Sequence, residues 1–171
     1  MSASPKKSPI RRGTVEDVPV ILGFIKELAE YEHETDKVLC TESMLAKTIF
    51  GPTPYAKVLI AQTDEGVPAG FALYFYNYST WNGKPGIYLE DLYVQPKHRG
   101  KSFGSALLYA LAEELVAIDG GRLEWSVLKW NTPSIEFYQR IGANPMTEWQ
   151  MMRVDGDTIA TLANKSSGIL E

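Results

Sequence analysis

The chain has 171 residues, 44% of them hydrophobic and 22% charged, the composition of one ordinary globular domain rather than of a disordered or fibrous chain. Its longest apolar runs, such as Gly70 to Tyr76, are only a few residues long, far short of the roughly 20 that a membrane-spanning helix needs, so no membrane partner is expected. Seventeen basic and 21 acidic residues give a net charge of −4, and residues 1–12 hold four of the basic and none of the acidic ones, leaving −8 on the remainder; that sign repels nucleic-acid phosphates and suits a cationic small molecule.

Residues 1–9 read as a disordered, basic lead-in, and residues 10–171 as a single domain. Lys6, Lys7, Arg11 and Arg12 are followed by no apolar stretch of the kind a secretory signal carries, so a cytoplasmic protein is expected. One cysteine, Cys40, and two histidines, His33 and His98, allow no internal disulfide and speak against a zinc site; no metal is expected.

The first periodic segment follows Thr14 and Asp17, both good cap residues, with Pro19 in the first turn. Ile21, Phe24, Ile25, Leu28 and Ala29 then form one stripe of an amphipathic helix ending near Tyr31 to His33. A shorter helix opens at Thr41-Glu42, turns Leu45 and Ile49 inward and stops at Gly51-Pro52. From Tyr55 the period is two: Lys57 to Thr63 and Val67 to Tyr78 read as antiparallel strands joined at Asp64-Glu65-Gly66. A loop with Trp81, Asn82-Gly83 and Pro85-Gly86 leads to a strand over Ile87 to Val94. A helix over Gly104 to Ile118 puts Leu107, Leu108, Leu111 and Leu115 on one face, and a strand over Arg122 to Leu128 follows. Thr132 as cap and Pro133 at the first position open a short helix that Gly142 ends. A last strand over Thr147 to Val154 and a helical stretch from Asp157 to Ala163 complete the chain. The order β-α-α-β-β-β-α-β-α-β predicts an α/β fold with a mixed sheet.

The junction Leu92 to Ser105 is where chemistry concentrates. A strand ends, a basic loop containing Gly100 follows, and a helix begins, so unpaired backbone N–H groups and the positive helix end meet at one point. Arg99 and Lys101 add positive charge there, which suits a phosphorylated ligand. A phosphate-binding loop of the Gly-x-x-x-x-Gly-Lys-Ser type would need glycine where Gln95 stands, and a dinucleotide fingerprint needs a third glycine. Gly100 and Gly104 by themselves fit a plain helix-entry turn equally well.

The stretch Arg99-Gly100-Lys101-Ser102-Phe103-Gly104 resembles the acyl-coenzyme A loop of the GNAT acetyltransferases, Arg/Gln-x-x-Gly-x-Gly/Ala, with Ser102 in place of the middle glycine. Where that position needs a positive φ, serine costs about 1 kcal/mol or more; its hydroxyl is equally able to donate to phosphate. Ile25 to Glu32, Leu89 to Val94, Trp130 to Tyr138 and Ile141-Gly142-Ala143 extend the resemblance to the branch of spermidine/spermine and thialysine N-acetyltransferases, over about Ile10 to Ala163.

The resemblance implies a GNAT acyl-CoA N-acyltransferase fold and transfer of acetyl from acetyl-CoA to a small cationic amine, in a homodimer. By that resemblance Tyr138 is the general acid toward the departing thiolate, and Glu90 takes the amine proton, usually through water. A base is required because an alkyl amine with a pKa near 10.4 is almost entirely ammonium at neutral pH. Strict alternation puts Glu90 and Asp91 on opposite faces, so only one enters the cleft, and the resemblance selects Glu90. Tyr31, Glu32, Trp81, Asp91, Glu124, Trp125 and Ser126 form the implied acidic and aromatic wall for the amine, each being equally readable as ordinary surface or core. Leu92, Tyr93 and Val94 would bind pantetheine through backbone groups, with an N–H near Leu92 facing the developing oxyanion. Arg99, Gly100, Lys101, Ser102, Phe103, Gly104 and Ser105 would cradle the pyrophosphate, while Asn131, Thr132, Pro133, Ser134 and Tyr138 approach from the other side. Cys40 matches no acetyl-carrying cysteine, which favours direct transfer in a ternary complex. Acetylation of a protein lysine and a non-catalytic acyl-CoA-binding module remain the alternative readings, and the amine itself is not named by the residues.

Overall fold

A short strand, β1 (Ile10–Arg12), comes first in the computed structural model, which describes residues 9–165; residues 1–8, most of the expected lead-in, lie outside the described residues. A 3-10 turn (Val15–Asp17) runs into α1 (Val18–Tyr31), and a second (Thr35–Lys37) precedes α2 (Glu42–Ile49). Strands β2 (Lys57–Gln62), β3 (Pro68–Ser79) and β4 (Lys84–Val94) follow, then a 3-10 turn (Pro96–His98), α3 (Phe103–Ala117), β5 (Arg122–Trp125), α4 (Thr132–Arg140) and α5 (Asp157–Ala163). The chain divides into two compact units, Met1–Ser126 and Val127–Glu171.

In the first unit the sheet order is β1-β2-β3-β4-β5, antiparallel through β4 and parallel between β4 and β5, with α3 as the crossover. The connection between β3 and β4 is shorter than expected. Pro85 and Gly86 are inside the ladder opposite Tyr78 and Asn77, leaving residues 80–83 as the turn. One face of the sheet meets α1 and α2 in a cluster of Ile21, Phe24, Leu45, Ile49, Val58, Ile60, Phe71 and Tyr93, with Leu73 packed against it. The helical stripe read from the sequence is therefore the buried one. The opposite face carries α3, whose Leu107, Leu108 and Leu111 are buried, over a sheet that includes Tyr74, Ile87 and Leu89.

Two carboxylates tie these layers together. Asp17 is buried and accepts both guanidinium nitrogens of Arg11 at 2.7 Å and the Thr14 N–H at 2.8 Å. The Arg11 contact holds its carboxyl below the usual range against the opposing effect of burial. Glu114 of α3 accepts the Tyr74 hydroxyl at 2.6 Å, Lys57 Nζ at 3.1 Å and the Tyr76 hydroxyl, and pairs with Arg12 at 3.2 Å. Burial pushes this carboxyl up, but the hydrogen bonds from Tyr74, Tyr76 and Lys57 outweigh it and bring it down to about 2.

Two expectations need correction. The strand expected over Thr147 to Val154 is absent from the described residues: these positions join no ladder, and Trp149, Met151 and Met152 are exposed. Their apolar residues change phase between Met151 and Met152, so no single face can be buried by a period of two. The observed order therefore lacks the final β of the expected series. The strand expected to reach Leu128 stops at Trp125, because its pairing with β4 ends at Leu89↔Trp125.

Both low carboxyl values give the acid sensitivity a sign. Each group lies below its ordinary value in the folded chain, so its contribution is complete above that value and is lost as pH falls through the folded one. Glu114→Gln is expected to lower unfolding stability at pH 7 by about 2 kcal/mol. In urea titrations it should also flatten the loss of stability between 4.5, the ordinary glutamate value, and about 2. An unaltered acid limb in the variant would remove Glu114 from the account.

Candidate functional site

The register of β4 against β3 slips by one residue in mid-strand: Leu73 faces Asp91, yet Tyr74 faces Leu89. Glu90 is the inserted residue of a β-bulge. Alternation therefore restarts there. Leu89 shares the α3 face with Tyr74, whereas Asp91 shares the α1 face with Leu73 and Tyr93. Strict alternation, by which only one of Glu90 and Asp91 enters a cleft, does not hold across the bulge for that reason. No periodic pattern announces the bulge in the sequence.

The ladder with β5 ends next to the bulge. Because β5 pairing ends at Leu89↔Trp125, the β5-side edge of residues 90–94, which holds Leu92, Tyr93 and Val94, is in no ladder with β5. Backbone N–H and C=O groups along such an edge can take the amides of an extended ligand as an added strand would.

That edge leads into the basic loop. Gly100 has φ +75° and Ser102 φ +65°, both left-handed, and Ser102 is the N-cap of α3. The first helical bond runs from Ala106 N to Ser102 O at 2.9 Å, so the N–H groups of Phe103, Gly104 and Ser105 have no acceptor within the helix. Lys101 and Ser102 are exposed. Arg99 is turned back toward α1: its Nε donates to Val94 O at 3.0 Å, and its guanidinium lies 5.2 Å from the Tyr31 ring and 5.8 Å from the Tyr93 ring.

Of the acidic wall, the structure groups Glu32, Glu90 and Asp91. Burial, reinforced by the charges of Glu90 and Glu32, pushes the Asp91 carboxyl up to about 6. Glu32 is raised by burial and by Glu34. Ser126 shares a 2.8 Å hydrogen bond with the Tyr88 hydroxyl, two residues before the bulge, and Glu124 faces Tyr88 in the ladder. Glu124 is engaged by Asn77 Nδ2 at 2.8 Å and by Arg122 at 2.9 Å, and Trp125 is half-buried opposite Leu89. Trp81 is not with the carboxylates. It sits 87% exposed in the β3–β4 turn, roughly 20 Å of strand away from Asp91.

In the second unit, Asn131 rather than Thr132 caps α4. Its side chain accepts from Ser134 N at 3.4 Å, and Thr132 and Pro133 are the first helical residues. Asn131 is buried, Tyr138 is half-buried with its ring 5.3 Å from that of Phe137, and Gly142 ends the turn at φ +94°. Cys40 is half-buried against the α1–α2 core, and burial raises its thiol above the ordinary value. Among the described residues no group of three or more His, Cys, Asp and Glu is placed to hold a metal ion, and no helix is long and apolar enough to cross a membrane.

The model of the acetyltransferase (GNAT) family matches residues 24–143, which run from α1 past the end of α4. The chain belongs to the GNAT acetyltransferase family. This GNAT chain is 39% identical over 168 residues to a thialysine N-epsilon-acetyltransferase of Bos taurus, covering 91% of the chain and 97% of the relative. It is 30% identical to an L-ornithine N5-acetyltransferase of Arabidopsis thaliana, covering 91% and 87%. An integron cassette protein from the Vibrio cholerae mobile metagenome superposes with a TM-score of 0.76 at 28% identity, over 92% of this chain and 97% of that one. The protein is thus an acetyltransferase, and acetyl transfer to the amine of a small acceptor is the activity its relatives support.

Ser102 departs from the family's glycine at a position whose backbone requires glycine's freedom. Ser102→Gly is expected to stabilise the fold by about 1 kcal/mol, seen as a rise in Tm of about 2–4 °C in a thermal melt. A fall in Tm would show that the hydroxyl holds the turn.

Proposed function

We propose that the protein transfers the acetyl group of acetyl-CoA to a primary amine of a small cationic acceptor, a di- or polyamine or a lysine-like amino acid, by direct attack in a ternary complex. The observation that carries this reading is the continuity of two features: the β4 edge left without β5 beyond the Glu90 bulge, and the loop at the start of α3 where that edge leads. A ligand with amides at one end and a pyrophosphate at the other fits that sequence of sites. Leu92, Tyr93 and Val94 would take the pantetheine amides, and Gly100 to Ser105 with Lys101 the phosphates. The N–H groups of Phe103 to Ser105 at the positive end of a 15-residue helix suit the anion.

Acetyl-CoA supplies the activated acyl group as a thioester. The chain's own residues must remove a proton from the acceptor and return one to the leaving sulfur. Glu90 and Asp91 form the acidic pair beside the bulge, and Asp91, at about 6, is a better proton acceptor than an ordinary carboxylate. Glu32 adds negative charge for the ammonium groups, with Tyr31 next to it, while Trp81 and Glu124 serve only the far end of a long acceptor. Tyr138 gives the proton to the thiolate. The raised Cys40 thiol is a poor nucleophile, which disfavours an acetyl-cysteine intermediate. The relatives named for thialysine and ornithine favour the amino-acid arm of this reading. On the same resemblance the protein is a cytoplasmic homodimer of single-domain chains spanning residues 10–171, with Asn131 to Ser134 approaching pantetheine.

A thiol-release assay with acetyl-CoA and a panel of thialysine, ornithine, lysine, putrescine, spermidine and a histone-tail peptide tests the reading. Turnover with a small cationic amine and none with the peptide is expected; turnover of the peptide alone would replace it with protein acetylation. Glu90→Gln and Tyr138→Phe should each lower kcat/KM on that amine by about 10²–10⁴-fold. In the unchanged chain kcat/KM should rise with pH through about 6 as Asp91 loses its proton, and Asp91→Asn should erase that limb. A limb that survives in Asp91→Asn assigns the titration elsewhere.

A further inference from the structure

Glu27 belongs to neither the cofactor nor the amine set, yet it joins them. Its carboxylate accepts Gln95 Nε2 on both oxygens, at 3.0 and 3.1 Å, and its charge acts on buried Tyr93. Burial, with Glu27 next in weight, pushes the Tyr93 phenol up to about 12, so it stays a donor over the working pH range. Four residues on, Tyr31 lies on the same side of α1 one turn away. Its ring meets the Arg99 guanidinium at 5.2 Å, while Arg99 Nε is fixed on Val94 O at 3.0 Å. All of these contacts land on residues 93–99, the end of β4 and the start of the basic loop. The helix turn that makes them also carries Glu32, whose charge acts on Asp91.

We infer that α1 clamps the acyl-carrier loop, with Glu27 as a positioning residue that holds Gln95 and so fixes the start of the loop where the carrier would bind. The inference rests on the acetyl-CoA reading above. Glu27 is outside the residues assigned above to the acyl carrier and the acceptor, so its loss should loosen the loop without removing a reacting group. The signature is weaker carrier binding with chemistry preserved once the carrier is saturating.

The test is CoA binding by calorimetry, with far-UV circular dichroism confirming the fold, for the unchanged chain and for Glu27→Leu, Gln95→Leu and the double variant. Glu27→Leu should raise the CoA Kd about 5-fold or more, and the double variant should go no further than the stronger single one, since both cut the same strap. Glu27→Gln, which still accepts one hydrogen bond, should remain within about threefold of the unchanged chain, and kcat at saturating acetyl-CoA should stay within about threefold in all of them. A CoA Kd unmoved in Glu27→Leu, effects of the two singles that multiply, or a kcat that falls along with binding would each overturn the clamp while leaving the acetyl-CoA reading intact. Absence of CoA binding by the unchanged chain would remove both.

Discussion

One extra residue in β4 governs the geometry of the first unit. Without the bulge at Glu90, Leu89 and Asp91 would fall on the same face, and either an apolar side chain would leave the α3 layer or a carboxylate would enter it. With it, Leu89 stays under α3 beside Tyr74, and Asp91 faces α1 in the company of Leu73. The β5 ladder ends at Leu89, the residue before the insertion, and beyond it the strand edge is in no ladder with β5. A single backbone irregularity therefore lies between the carboxylate that faces α1 and the strand edge that has no β5 ladder.

The electrostatics follow from that placement. Asp91 is pushed up to about 6 because burial costs its charged form and two neighbouring carboxylates add to the cost. A cationic ligand would relieve the repulsion, which is how an acidic body selects an ammonium compound. The loop before α3 carries the opposite sign only a few residues away. Arg99 is held there by two aromatic rings and a carbonyl rather than left to roam, so its positive charge is fixed in place and an anion bound there would cost it less side-chain freedom.

Much of this was legible in the residues. The stripe of Ile21, Phe24, Ile25 and Leu28 gave α1 its buried side, Thr41 capped α2, and the leucines at 107, 108 and 111 identified the buried side of α3. Gly100 and Ser102 marked the loop, and its left-handed turn is where a serine was expected to be strained. What stayed hidden was long-range or irregular. Bulges have no periodic signature, and Glu27 on a helix looks like any solvent-facing acid until Gln95, 68 residues on, is folded against it. Thr147, Trp149 and Val154 favour a strand, but the change of apolar phase between Met151 and Met152 leaves no single face to bury.

β4 is also the strand on which both helical layers converge, and its two anchorages differ in kind. Toward α3 the attachment is apolar packing backed by Glu114, whose hydroxyl and ammonium donors sit on β2 and β3 rather than on β4. Toward α1 the apolar cluster ends at Tyr93, and from there the chain is held by polar contacts of Gln95 with Glu27 and of Arg99 with Tyr31 and Val94 O. Apolar packing tolerates small shifts, whereas hydrogen bonds to a carboxylate weaken steeply with distance and angle. The end of β4 and the loop after it are thus the part fixed by directional bonds. The part before the bulge, which only completes a core, is left to packing.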